Sequence, residues 1–288
     1  VAFDCSIQAG NGEMSGIDPT RIGKPLAPEH PRQLGRYELL RVLGVGGMGT
    51  VFLARQANLG RLVAVKLLGG ARGVREEWKP RFEREIDALC RLHHPNIVAI
   101  LDRSEDAGRM YYTMEYIDGL PLRSFVGKPT KFAQVIRMVS KIAQALEAVH
   151  QAGMIHRDLK PDNVLVDRYG EIKLTDFGIV KSVERTELAP GDEPEALLTG
   201  VGAALGTVAY MAPEQVFGRG EVGPAADVFA FGVLLHELLT GFRPDPETPP
   251  LASLLPGLPE WVDQLLGFCL HLDPKRRLAT AGEAVRAL

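Results

Sequence analysis

With 288 residues, 45% of them hydrophobic, the chain is long enough to bury one large core or two smaller ones. A formal net charge of −3 gives no overall electrostatic reason to expect a nucleic-acid partner, and none is expected. Cys5, Cys90 and Cys269 lie far apart with no C-x-x-C pair, which argues against a disulfide framework or a thiolate metal site.

No run approaches the ~18 apolar residues needed to span a bilayer, and the first ten residues lack the basic start and apolar run of a secretory signal. A cytoplasmic chain is expected, either free or as the cytoplasmic part of a membrane-anchored protein whose membrane segment lies outside these residues. The start at Val1 and the helical pattern running up to Leu288 suggest a piece of a longer protein.

Residues 1–35 are rich in Gly, Pro and short polar residues and read as a flexible leader with room for one docked segment, the ordered domain beginning near Arg36. From Tyr37 the runs YELLRVLGV, TVFLARQA and LVAVKLL predict an antiparallel meander, with Asn58, Leu59 and Gly60 as a turn. Trp78, Phe82, Ile86, Leu89 and Leu92 recur at helical spacing, and strand-like runs follow over 96–101 and 110–116. Five strands and one helix make a small lobe over residues 36–117. After Asp118 and Gly119 the pattern turns helical, with an apolar-faced helix over 132–150 and a more apolar, central one over 227–239. Short strands over 163–166 and 171–174 flank a turn at 167–170, and the acidic stretch 182–200, with Pro190 and Pro194, reads as a mobile surface loop. Residues 118–288 form a mostly helical large lobe, an α+β architecture in all.

Four segments can carry chemistry. Gly44, Gly46 and Gly49 have the spacing of a phosphate-binding loop, which the dinucleotide fingerprint shares. TVFLA after the third glycine suits a strand better than a helix, and so favours a hairpin. Lys66 closes the run VAVK and reads either as an edge lysine or as the partner of Glu85. Glu85 lies close in helical phase to Phe82, Leu89 and Leu92, where an unpaired carboxylate is costly. In IHRDLKPDN, Asp158 can orient and deprotonate a hydroxyl, Lys160 can neutralise a travelling phosphoryl group, and Asn163 offers Mg²⁺ an oxygen. In LTDFG, Asp176 can reach a divalent ion from the end of a strand.

Together these segments resemble the protein-kinase family, and most closely the bacterial, eukaryotic-like Ser/Thr kinases, over about residues 36–288. The resemblance implies the bilobal kinase fold and transfer of the γ-phosphate of Mg-ATP to protein Ser or Thr hydroxyls, with Mn²⁺ as a substitute ion. It assigns Gly44, Gly46 and Gly49 to the Gly-rich loop. Lys66 pairs with Glu85, Asp158 is the catalytic aspartate, Lys160 contacts phosphate, and Asn163 and Asp176 are metal ligands. The adenine would lie against Val51, Ala64 and Leu165, with residues 115–117, Glu115 and Ile117 among them, as the connecting hinge. Glu214, in A-P-E, would pair with Arg277, and Asp227 would brace the catalytic loop. Leu89, Ile100, His156 and Phe177 would form an internal stack, which makes His156 structural rather than a proton-transfer base. Lys160 and Thr207 favour Ser/Thr specificity. Protein substrates are implied, with self-association for autophosphorylation and Thr199 as the regulatory phosphorylation site. The alternative is a pseudokinase scaffold that keeps the fold without turnover.

Overall fold

The computed structural model describes residues 23–46, 49–69, 76–178, 208–218, 222–245 and 247–287. Thr199, Thr207 and the acidic stretch 182–200 lie outside them.

Among the described residues, the smaller of two compact units comprises the chain from Gly23 to His93 and Val98–Tyr116. Its antiparallel meander is built from β3 (Tyr37–Gly46), β4 (Gly49–Gln56), β5 (Leu62–Leu68), β6 (Ile100–Asp106) and β7 (Arg109–Glu115), in the spatial order β3-β4-β5-β7-β6. Alternation turns Tyr37, Leu39, Phe52, Val63 and Val65 into one apolar core. Helix α1 (Lys79–Cys90) buries Phe82, Ile86 and Leu89, the stripe expected from their spacing.

The leader needs correction from Gly23 onward. Two short strands, β1 (Lys24–Pro25) and β2 (Gln33–Leu34), pair with β3, so the sheet has seven strands rather than five. Leu34 is fully buried and the His30 ring meets Phe52 edge-on at 5.3 Å. These residues satisfy backbone groups that a bare β3 edge would present to solvent, a role that polar and Pro-rich composition does not advertise.

The larger unit comprises His94–Ile97 and the described residues from Ile117 onward. Its helices are α2 (Phe132–Gln151), α3 (Pro213–Val216), α4 (Pro224–Thr240), α5 (Leu251–Leu254), α6 (Glu260–Cys269) and α7 (Ala281–Ala287). As its composition predicts, α4 is buried along nearly all its length, and it packs against α2 and α6. Gly232 allows that approach: a Cβ there would sit 2.7 Å from Cys269 Cβ. Cys269 is fully enclosed, and burial pushes its thiol up to about 12, which makes it an inert apolar residue. A three-stranded sheet joins β8 (Gly119–Pro121), β9 (Val164–Asp167) and β10 (Ile172–Leu174) in the order β10-β9-β8.

The strand expected over 96–101 begins only at Ile100. Residues 94–97 bond elsewhere: Asn96 Nδ2 donates to Ile172 O at 2.9 Å, Leu174 N donates to Asn96 O at 2.8 Å, and Ile97 bridges Leu174.

Candidate active site

In the small unit, β3 and β4 are joined where Gly46 faces Gly49, and the third glycine opens a strand. The hairpin reading is therefore correct and the dinucleotide one is not. Gly49 has φ +137°, and a Cβ there would lie 2.0 Å from Leu67 O, so this position requires glycine for packing. A Cβ on Gly44 or Gly46 meets nothing within 4 Å. Packing does not demand glycine at those two positions, whereas backbone approach to a ligand would. Lys66 sits on β5 opposite Val51 and Tyr112, with only 7% of its surface exposed. Ala64 is buried on the same strand. Glu115 is pinned in place, its N–H donating to Ala99 O at 3.0 Å and its Oε1 accepting from Ala99 N at 2.9 Å. Glu85 is half-buried on α1, with Arg81 Nε at 3.5 Å one turn earlier.

In the large unit, the loop leading into β9 gathers the expected polar groups. Lys160 Nζ lies 3.1 Å from Asp158 Oδ2, and Asn163 Nδ2 donates to Asp158 O at 2.8 Å and to Oδ2 at 2.9 Å. The same amide nitrogen approaches Asp176 O at 3.5 Å. Anchoring this nitrogen leaves Oδ1, on the other side of the amide, as the oxygen a hard cation would take.

The loop is held from below by α4. Both oxygens of the buried Asp227 accept backbone N–H groups, Oδ2 from His156 and Oδ1 from Arg157, each at 2.8 Å, and His150 Nε2 lies 2.9 Å from Oδ2. Arg157 and Asp176 adopt φ +65° and +56°, conformations that non-Gly residues enter only when surrounding bonds impose them. His156 is fully buried, its Nε2 donating to Thr175 O at 3.0 Å and its Nδ1 accepting from Asp158 N at 3.3 Å. That pattern requires the neutral ring, and burial lowers its pKa below the ordinary 6.5. Its ring lies 4.7 Å from Phe177. His156 is thus structural, as expected.

Glu214 and Arg277 form the expected pair, bidentate at 2.7 and 2.8 Å and both buried. Arg277 also donates to the carbonyls of His271, Leu272 and Ala225, so one guanidinium ties α3 to the start of α4 and the loop after α6.

The sequence reading missed Arg123. It donates to Glu237 Oε1 at 2.8 Å, Tyr210 Oη at 2.7 Å and Asp162 Oδ2 at 3.0 Å, and Tyr210 Oη in turn donates to Glu237. Burial alone would lower the guanidinium's pKa, yet its bonds to Tyr210, Asp162 and Glu237 outweigh that and raise it. One arginine in LPLRSF carries no periodic signal, so only the fold reveals it.

Among the described residues, no group of three or more His, Cys, Asp or Glu could hold a metal alone. Mg²⁺ beside a triphosphate needs only one or two protein oxygens, with phosphate and water completing the shell. Asn163 and Asp176 fit that requirement.

A glycine hairpin and a buried strand lysine in one unit, and a braced Asp-Lys-Asn loop in the other, are elements of the kind a protein-kinase fold carries. The family model of the protein kinase domain matches residues 37–287, and the chain belongs to that family, with its bilobal α+β fold. It is 35% identical over 263 residues to the Serine/threonine-protein kinase PrkC of Bacillus subtilis, covering 86% of this chain and 39% of that protein. It is 37% identical over 272 residues to the Serine/threonine-protein kinase Pkn1 of Myxococcus xanthus, covering 88% and 38%. The chain thus spans well under half the length of these curated relatives. The crystal structure of the Mycobacterium tuberculosis PknI kinase domain is similar with a TM-score of 0.68 and 28% identity, covering 88% of this chain and 95% of that one.

Proposed function

We propose that this chain is an active protein Ser/Thr kinase domain that transfers the γ-phosphate of ATP to hydroxyls of protein substrates. The observation that carries the reading is the braced loop, in which Asp158, Lys160 and Asn163 converge within hydrogen-bonding distance. The acceptor oxygen attacks the γ-phosphorus, the bond to the β–γ bridging oxygen breaks to release ADP, and Asp158 takes the hydroxyl proton. Lys160 balances charge on the phosphoryl group in transit. Bound Mg²⁺, held by Asn163 and Asp176, would neutralise charge on the phosphates. Gly44, Gly46, Gly49 and Lys66 are assigned to the phosphates, with Glu85 as partner of Lys66. Val51, Ala64, Glu115, Ile117 and Leu165 are assigned to the base.

Autophosphorylation, through self-association, fits the same chemistry. Phosphate on Thr199 would add about −1.5 to −2 charges for Arg157 to meet, ordering the segment before Ala212. Among the described residues no helix is long and apolar enough to cross a membrane. A cytoplasmic site of action suits the ATP requirement.

Labelled ATP with a general protein acceptor tests the reading. Mg²⁺-dependent incorporation on Ser and Thr is expected in the wild type, with loss in Asp158→Asn and Lys66→Ala. Nucleotide binding without incorporation in the wild type would make the chain a scaffold instead.

A further inference from the structure

Helix α1 presents Glu85 on one flank of its buried stripe and a row of tethered charges on the other. Lys79, Glu83 and Asp87 follow at four-residue spacing, and each is tied to β6. Lys79 Nζ lies 3.2 Å from Glu105 Oε2, and Arg103 Nη1 donates to Glu83 Oε1 at 2.9 Å. Arg103 also forks Asp87, Nε to Oδ1 at 2.7 Å and Nη2 to Oδ2 at 3.2 Å. Glu85 is two residues from both Glu83 and Asp87, and therefore ~160° around the helix from each. Phe82, Ile86 and Leu89 lie between the two flanks and face the core.

A single exposed ion pair would hold a helix weakly. Arg103 differs because one planar fork engages carboxylates a full turn apart, and so restrains both rotation and axial slip of α1. Consistent with that geometry, the Arg103 hydrogen bond holds the Asp87 carboxyl below its ordinary range. Apolar packing alone permits small rolls of a helix on a sheet, and any roll that loosens this flank displaces Glu85 on the other.

We propose that Arg103 is a positioning residue for phosphoryl transfer, fixing the rotation of α1 and thereby the station of Glu85. The proposal rests on the reading of Glu85 as partner of Lys66. The test uses the whole chain, with Arg103→Gln, Arg103→Lys, Glu85→Gln and the Arg103→Gln/Glu85→Gln pair assayed at varied ATP, and thermal melting run in parallel. Arg103→Gln is expected to lower kcat/KM for ATP about fivefold or more while leaving KM for the protein acceptor unchanged. Arg103→Lys restores part of the loss, because an ammonium can hold one carboxylate but cannot fork. In the Glu85→Gln background the Arg103 change adds nothing further. Arg55→Gln, which removes the exposed 3.5 Å pair with Glu38, controls for loss of a surface charge and stays at wild-type activity.

A damaging Glu85→Gln combined with a silent Arg103→Gln, or with fully additive losses, overturns the proposal and spares the reading of Glu85. A lowered melting temperature with unchanged kcat/KM overturns it too, since Arg103 would then be structural only. A silent Glu85→Gln removes the reading of Glu85 and the proposal with it.

Discussion

Replacing Asp227 by Asn isolates the brace under the catalytic loop, because shape is kept and only acceptor capacity changes. Asp227 is 1% exposed and both its oxygens accept backbone N–H groups, from His156 and Arg157 at 2.8 Å. The amide retains one acceptor, so the other N–H faces an NH₂ group. A hydrogen bond to a charged acceptor contributes ~1.5–3 kcal/mol and a buried orphaned donor costs ~1–3 kcal/mol, which puts the expected destabilisation at ~3–5 kcal/mol. The catalytic effect is separate. Holding Arg157 at its left-handed backbone angle costs ~1–3 kcal/mol, and with half the brace gone the loop is free to relax. A relaxation of that size lowers kcat about 10- to 100-fold. Urea unfolding followed by fluorescence of Trp78 and Trp261 reads the first quantity, and phosphate incorporation at saturating ATP reads the second. Stability within ~1 kcal/mol of wild type together with kcat within about twofold would refute the reasoning.

Stability should also fall as pH drops below 6.5. Burial lowers the pKa of His156 and His236 in the folded chain, so below 6.5 the unfolded chain binds more protons, and urea midpoints should decline steadily from pH 7 toward 5.5. Flat midpoints across that window would contradict the burial of these rings. Glu214→Ala leaves the buried Arg277 guanidinium without its carboxylate and should cost ~3–5 kcal/mol in the same unfolding assay, whereas Arg277→Met in that background should recover part of the loss. Deleting residues 1–34 removes β1, β2 and the fully buried Leu34, for which burial alone is worth ~1.5–3 kcal/mol. That deletion should therefore lower the melting temperature relative to the whole chain.

The parts of the site that were legible in sequence are those whose chemistry is compressed into short segments. Asp158, Lys160 and Asn163 lie within six residues, and the apolar strand that follows them fixes their direction. The Glu214–Arg277 pair was reached only through the family resemblance, since 63 residues separate its partners. Arg123 gives no sequence signal because its partners Asp162, Tyr210 and Glu237 are scattered along the chain, and Arg103 gives none because its two carboxylates, though one turn apart on α1, belong to a different element from its own strand. Strand propensity misled over 96–101, where β-branched residues read as one strand although hydrogen bonding divides them between two units. Residues 23–34 misled in the opposite sense. Two-residue strands have too little length for alternation to show, and only Leu26 and Leu34 supply large apolar side chains that signal docking.

The division of residues 94–97 from their neighbours bears on how the molecule could be taken apart. The chain leaves the small unit after His93, gives Asn96 and Ile97 to β10, returns at Val98, and departs again after Tyr116. Among the described residues, three covalent crossings therefore join the units, and no single cut yields both intact. A fragment ending at Tyr116 would carry Asn96 with its β10 partners missing, and a fragment beginning at Ile117 would leave Ile172 O and Leu174 N without theirs. Dissection by limited proteolysis or split expression should give mutually dependent halves rather than two autonomous domains.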